Sequence, residues 1–181
     1  GPATLAYHGL TAQQHQQRFD DWTKDGYRPR NIAVTAVNGQ PRYTVLYEKV
    51  DIGSWQAKSR LSPDEYQQAF ADNSAQGRKP IYLNAYGLDG NTHFSAIFAS
   101  KPTGALKARH GLSKQQYQSD WESTTGAGYL TRVVTGYAAG GNTRYAAIWR
   151  KKTASRFPGT MSATTSRSLP RNPKESTSRN V

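Results

Sequence analysis

The sequence predicts an α+β fold made of three tandem units of about 51 residues, each a helix followed by a β-hairpin. Two observations support this prediction. A hairpin sequence motif occurs three times, and a helix-start motif precedes each copy at the same distance. Because a unit this small cannot bury its own apolar face, we expect the units to stack as a solenoid or a partial ring.

The hairpin phrase reads NGQPRYTVLY in its first copy, DGNTHFSAIF in its second and GGNTRYAAIW in its third. Its turn glycines, Gly39, Gly90 and Gly141, lie 51 residues apart. A two-residue primed turn would place the large apolar residues of both strands on one face. The predicted cross-strand pairs are Val34 with Tyr43, Ile32 with Val45, Arg30 with Tyr47, Ala85 with Phe94, Leu83 with Ala96, Ile81 with Phe98, Gly136 with Tyr145 and Val134 with Ala147.

Each helix start has the spacing of a capping box. In this motif a side-chain hydroxyl accepts a hydrogen bond from the backbone N–H three residues later, and the Glu or Gln there accepts one from the backbone N–H of the first residue. A glycine then follows each helix at the place where a left-handed residue ends it. The three capping boxes are Thr11 with Gln14, Ser62 with Glu65 and Ser113 with Gln116, and the three glycines are Gly26, Gly77 and Gly128.

The predicted boundaries follow from the repeat. Residues 1–6 are expected to be a tag remnant and lead-in, and residues 7–157 the tandem-repeat domain. Residues 158–181 are rich in Ser, Thr, Pro and Arg, so they are expected to be a disordered basic tail or linker. The three expected units are 7–57, 58–108 and 109–157.

The composition excludes several kinds of chemistry. The chain has no cysteine, which rules out disulfides, thiol catalysis and thiolate metal sites. Its net charge of +12 is concentrated near the end, where residues 150–181 hold eight Lys or Arg against one acid. Because the tail, residues 158–181, has no aromatic residues interleaved with its charges, we do not expect a nucleic-acid partner, although binding of polyanions through the tail remains an alternative. No apolar run is long enough to span a membrane.

The four histidines form no metal-ligand spacing. His8 and His110 occupy equivalent places before a helix, and His15 takes a position filled by Tyr66 and Tyr117 in the other units. We therefore expect no metal and no cofactor. A hydrolase whose site forms between units and uses His8 or His110 is the alternative from another functional class.

The best binding candidates lie on the hairpin face opposite the large apolar residues. There a hydroxyl or phenol stands beside a cationic or imidazole side chain in every unit, near the hairpin tip. Donors repeated at one place in each unit would line one surface. The alternatives are that these side chains pack against the neighbouring unit or face water. The candidates are Arg42, Tyr86, His93, Tyr137 and Arg144.

Three phrases stand out in the sequence: HGLTAQQHQQRFDDWTKDGYRP, ARHGLSKQQYQSDW and RYAAIW. In these phrases, over roughly residues 7–157, the chain resembles the bacterial tandem repeat of secreted hydrolase-associated proteins. The chain is also similar to the amino-terminal repeats of fungal polyglycine hydrolases. In those proteins a β-lactamase-like serine hydrolase domain follows the repeats. The resemblance implies a secreted, non-catalytic recognition or scaffold module that contacts a protein or glycan substrate. The nucleophile motif Ser-x-x-Lys does not occur, so no catalytic residue is assigned.

Overall fold

The computed structural model describes residues 1–101 and 105–152. Strands make up 54% of the described residues and helices 26%. The elements are β1 (Thr4–Leu10), α1 (Ala12–Lys24), β2 (Arg28–Val37), β3 (Gln40–Glu48), β4 (Trp55–Leu61), α2 (Pro63–Ala75), β5 (Lys79–Leu88), β6 (Asn91–Ala99), β7 (Leu106–Leu112), α3 (Lys114–Gly126), β8 (Tyr129–Ala139) and β9 (Asn142–Lys151). The predicted tail, residues 158–181, lies outside the described residues.

The prediction of an α+β fold built from helix-plus-hairpin units is wrong. The described chain is mostly β, and each unit is a separate three-stranded antiparallel sheet with one helix. The strand orders are β1-β3-β2, β4-β6-β5 and β7-β9-β8. The overlooked strand precedes the helix, and it pairs with the free edge of the second hairpin strand, as Tyr7 does with Val45. Strand β4 therefore crosses the expected boundary between residues 57 and 58 and pairs within the second sheet.

The local signals for helix starts and hairpin turns are confirmed. All three helices begin with both bonds of a capping box. In the first hairpin, Asn38 and Gly39 both have positive φ, of 51° and 73°, as a primed two-residue turn requires. The turn sets the register of the pairs near it, such as Val34 with Tyr43 and Ala85 with Phe94.

The outermost predicted pairs are wrong because every hairpin contains a β-bulge. Tyr47 lies opposite Pro29 rather than Arg30, and Phe98 lies opposite Pro80 rather than Ile81. In the third hairpin the pairing passes from Thr131 to Val133 and leaves out Arg132. A bulge places two residues opposite one, so the pairing shifts by one beyond it. The bulge residues are equivalent in the repeat, and a turn-based register could not reveal them.

The cores of the first and second units are each completed by the next unit along the chain. The buried face of the first sheet packs on α1 and also on the second sheet. The residues that meet there are Ile32, Val34, Tyr43, Val45 and Tyr47 from the first unit and Tyr86, Leu88 and Ile97 from the second. The second unit's core is closed in the same way by Ala146 and Ile148 of the third. A unit alone would leave this apolar surface in water.

One edge of the first sheet and one edge of the second are also covered by the next unit. Strand β2 is an edge strand, so the backbone N–H of Val34 and C=O of Ile32 point away from β3. The Val34 N–H donates to Asn84 Oδ1 at 3.4 Å, and Ser95 Oγ donates to the Ile32 carbonyl at 2.5 Å. One unit later, the Ala85 N–H donates to Thr135 Oγ1 at 3.3 Å. Polar side chains on the face of one sheet thus form hydrogen bonds with the backbone N–H and C=O groups at the edge of the preceding sheet.

In the two described stretches of the chain, no helix combines the length and the apolar composition that a membrane span requires.

Replacing Asn84 with Ala should lower the free energy of unfolding by about 1–3 kcal/mol, because the buried Val34 N–H loses its acceptor. Asn84 is 2% exposed. Urea titration followed by circular dichroism would measure the change. The control is Asn142→Ala at an exposed hairpin position, which should cost less than about 0.5 kcal/mol. Equal losses in the two variants would contradict the role assigned to the sheet edge.

Candidate functional site

Of the five predicted contact residues, the two tyrosines lie between units. Tyr86 is 5% exposed, packs in the first unit's core, and donates from its hydroxyl to the Ser59 carbonyl. The ring of Tyr137 meets that of Phe94 edge-on at 4.8 Å, and its hydroxyl accepts from the Gly111 N–H at 2.9 Å. In both units, the face that the sequence offers as a contact surface is the face that closes the preceding core.

The three basic candidates remain partly exposed near the hairpin tips. Arg42, His93 and Arg144 lie directly opposite Thr35, Tyr86 and Tyr137 in the strand pairing, as the turns predict. The imidazole of His93 stacks on Tyr86 with ring centroids 5.8 Å apart. None of the three lines either of the recesses described below. Ligand contact by these three residues stays a prediction.

His15 belongs to a buried aromatic cluster of the first unit. It is 5% exposed, stacks on Tyr43 at 4.2 Å, and its Nδ1 lies 2.6 Å from the Tyr7 hydroxyl. That hydroxyl also lies 2.7 Å from the Tyr47 hydroxyl. Burial lowers the pKa of His15 to about 4, against a weaker opposing effect of Asp20, so the ring is neutral at pH 7. Burial also raises the pKa of Tyr47 to about 12.

His8 and His110, the residues of the hydrolase alternative, stand in different surroundings. His8 is exposed, and its Nδ1 lies 2.9 Å from Thr44 Oγ1. The His110 ring packs edge-on against Tyr66 at 5.2 Å, and burial lowers its pKa. Within residues 1–101 and 105–152, no group of three or more His, Asp or Glu side chains is placed to hold a metal ion.

A polar recess with a volume of about 460 Å³ lies beside helix α2 of the second unit. It runs between α2 and strand β4, and we call it the α2 groove. Its lining is mostly amide and charged side chains, with few apolar ones. The lining residues are Gln56, Lys58, Leu61, Glu65, Gln68, Ala69, Asp72, Asn73, Ala75, Gln76 and Arg78.

The α2 groove exists because the second unit lacks the large residues that fill this place in the first. There Tyr7, Trp22 and Tyr47 pack together, with Trp22 at 5.5 Å from Tyr7 and 5.2 Å from Tyr47. At the positions of Tyr7 and Trp22, one repeat later, the chain has Lys58 and Asn73. Leu5 and Tyr27 are likewise replaced, by Gln56 and Arg78. Loss of this aromatic volume leaves a groove with polar walls.

The polar groups inside the groove are held in fixed positions. Asn73 is 1% exposed, and its Nδ2 donates to Gln56 Oε1 at 2.9 Å and to the Ala69 carbonyl at 2.8 Å. Arg78 Nε donates to Asn73 Oδ1 at 2.6 Å. At the groove's outer wall, Gln68 Nε2 donates to Asp72 Oδ1 at 2.8 Å. These bonds orient the walls, while the remaining donors and acceptors of Gln68 and Asp72 are exposed to solvent.

Comparison with known families identifies the repeat. A family model described as polyglycine hydrolase-like, structural repeat, matches residues 1–50, 52–101 and 103–152. The chain belongs to the polyglycine hydrolase-like structural repeat family. This confirms the resemblance drawn from the sequence. The matched segments of the polyglycine hydrolase-like repeat begin at residues 1, 52 and 103, so each includes the strand before the helix. A search of curated proteins finds no match for the chain.

The α2 groove was not predicted, although the sequence contains a signal for it. The polyglycine hydrolase-like units agree at their caps and turns, whereas positions 56, 58, 73 and 78 depart from the first unit by losing size and gaining polarity. Several such departures at once indicate that the second unit lacks side chains that pack together in the first. Only the fold shows that these four positions face one another.

The stability of the protein should fall as the pH drops from 7 to 5, in part because of His15. Its pKa is about 4 when folded against 6.5 in the unfolded chain, so the unfolded state binds more protons in this range. Replacing His15 with Tyr, the residue at this place in the other units, should reduce that loss by about 2 kcal/mol. Urea unfolding at both pH values measures it.

The control for this prediction is His8→Gln, at an exposed position, which should leave the pH dependence of unfolding as it is in the unaltered protein. If His15→Tyr lost as much stability between pH 7 and pH 5 as the unaltered protein does, a neutral buried His15 would be refuted.

Proposed function

We propose that this chain is a non-catalytic recognition module of a secreted hydrolase, and that it contacts a protein substrate through the α2 groove. The observation behind the proposal is the replacement of the aromatic filling of the first unit by fixed amide and charged groups in the second. The family likeness supports a repeat module, and secretion is proposed from that likeness alone.

The chemistry of the groove favours a peptide over a sugar. Carboxamide side chains donate and accept hydrogen bonds, as backbone peptide groups do, so Gln68 and Gln76 can pair with an extended chain. Both signs of charge are present, with Glu65 and Asp72 on the helix and Lys58 on the strand. No aromatic ring lines the groove for a sugar to stack on. The test must therefore distinguish binding of a peptide from binding of a glycan.

A catalytic role receives less support from the described residues. His8 has Thr44 Oγ1 at 2.9 Å, but that oxygen also accepts from the Gly9 N–H at 3.3 Å. A nucleophile of this kind needs a base that a third group orients. No carboxylate among the described residues bonds to the His8 ring. The hydrolase alternative is tested alongside the binding module.

Replacing both Gln68 and Asp72 with Ala should weaken peptide binding about thirtyfold, since each of two lost hydrogen bonds contributes of the order of 1 kcal/mol. The probe is a library of short extended peptides that includes glycine-rich sequences, and any peptide bound is then titrated by calorimetry. The same residue types occur at the equivalent places of the first unit, Gln17 and Asp21, so their double replacement with Ala is a matched control.

Three results would contradict the proposal. The first is equal loss of affinity in the two double variants, and the second is binding to a glycan array but to no peptide. The third is hydrolysis of a bound peptide that stops when His8 or His110 is replaced by Ala, since this would make the chain an enzyme.

A further inference from the structure

The bulge residues of the three sheets meet at one recess. Arg30, Ile81 and Arg132 are the residues that the hairpin pairings skip, one in each unit. All three line a recess together with Lys101, Leu106, Ile148 and Arg150, and we call it the bulge recess. Four of its seven lining residues are cationic, and the other three are apolar. It is separate from the α2 groove, with which it shares no residue.

Two of these cations have acidic partners, and two do not. Arg30 Nε lies 3.0 Å from Glu48 Oε1, and Lys101 Nζ lies 3.0 Å from Asp51 Oδ2. Among the described residues, no carboxylate lies within ion-pairing distance of Arg132 or Arg150. The bulge recess therefore has two positive charges that these carboxylates do not neutralise.

The repeat shows how this imbalance arises. Arg132 is the third unit's equivalent of Arg30, and Arg150 is the equivalent of Glu48. The first unit thus has an ion pair where the third unit has two arginines. Partial burial, followed by the positive charges of Arg150 and Arg30, lowers the pKa of Arg132. The apolar side chains of Ile81, Leu106 and Ile148 lie beside these cations, and Arg132 is exposed to solvent.

We propose that the bulge recess binds one tetrahedral oxyanion, a phosphate or sulfate group, between Arg132 and Arg150. Guanidinium groups bind such oxygens with two parallel hydrogen bonds each, and two uncompensated cations match a doubly charged ligand. Arg30 and Lys101 lie at the same recess, where their charges are offset by Glu48 and Asp51. The site does not depend on the function proposed for the α2 groove.

The experiment titrates the full chain with inorganic phosphate and inorganic sulfate at an ionic strength of about 0.15 M, which screens exposed charges. Calorimetry or chemical-shift changes measure the affinity. Glucose 6-phosphate, glucose 6-sulfate and glucose are tested next, to separate a free ion from a group attached to a sugar. We expect binding of the charged probes and none of glucose.

Arg150→Glu should weaken phosphate binding at least about tenfold, because it places beside Arg132 the carboxylate that Arg30 has in the first unit. Arg132→Ala is a second variant that keeps the test valid if the first fails to fold. The control is Arg60→Ala, which removes one exposed positive charge away from the bulge recess. Absence of phosphate binding by the unaltered protein, or an equal loss in Arg60→Ala, would overturn the proposal.

Discussion

The structure depends on one constraint: the open edge of a small antiparallel sheet must be covered. In the first two hairpins the first strand is a sheet edge, and its outward N–H and C=O groups would otherwise lie unpaired against apolar surface. Asn84, Ser95 and Thr135 meet these groups from the face of the next sheet. The same contact brings Tyr86 and Ile97 into the preceding core. One interface therefore provides hydrogen bonds to the edge backbone groups and also buries apolar side chains.

Local features could be predicted from the sequence, and features that depend on neighbouring units could not. The caps at Thr11, Ser62 and Ser113 are determined within four residues, so spacing alone identifies them. The first strand of each unit was missed because it pairs with a strand distant in sequence and has little apolar alternation of its own. The alternation in β5 indicated two faces, but not that Tyr86 on the second face is buried by another unit.

Both candidate sites lie where one unit departs from another. In the first unit Trp22 helps to fill the space beside its helix, and Glu48 neutralises Arg30. The second unit replaces that tryptophan with Asn73, and the third replaces that acid with Arg150. Because caps, turns and sheet edges keep the units folded, side chains away from these contacts are free to change. A repeat of this kind can therefore place different chemistry in each unit on the same backbone.

Sheet edges are covered by later units and not by earlier ones, which affects how the chain folds during its synthesis. The first and second units receive covering side chains from the unit that follows, whereas the first unit has Ala33 where the later ones have Asn84 and Thr135. On the ribosome, the first core cannot close until Ile97 has emerged. At about 5–20 residues per second, a further unit of about 51 residues takes roughly 3–10 s to make. For that interval the newest sheet edge lacks the side chains that cover it in the folded protein.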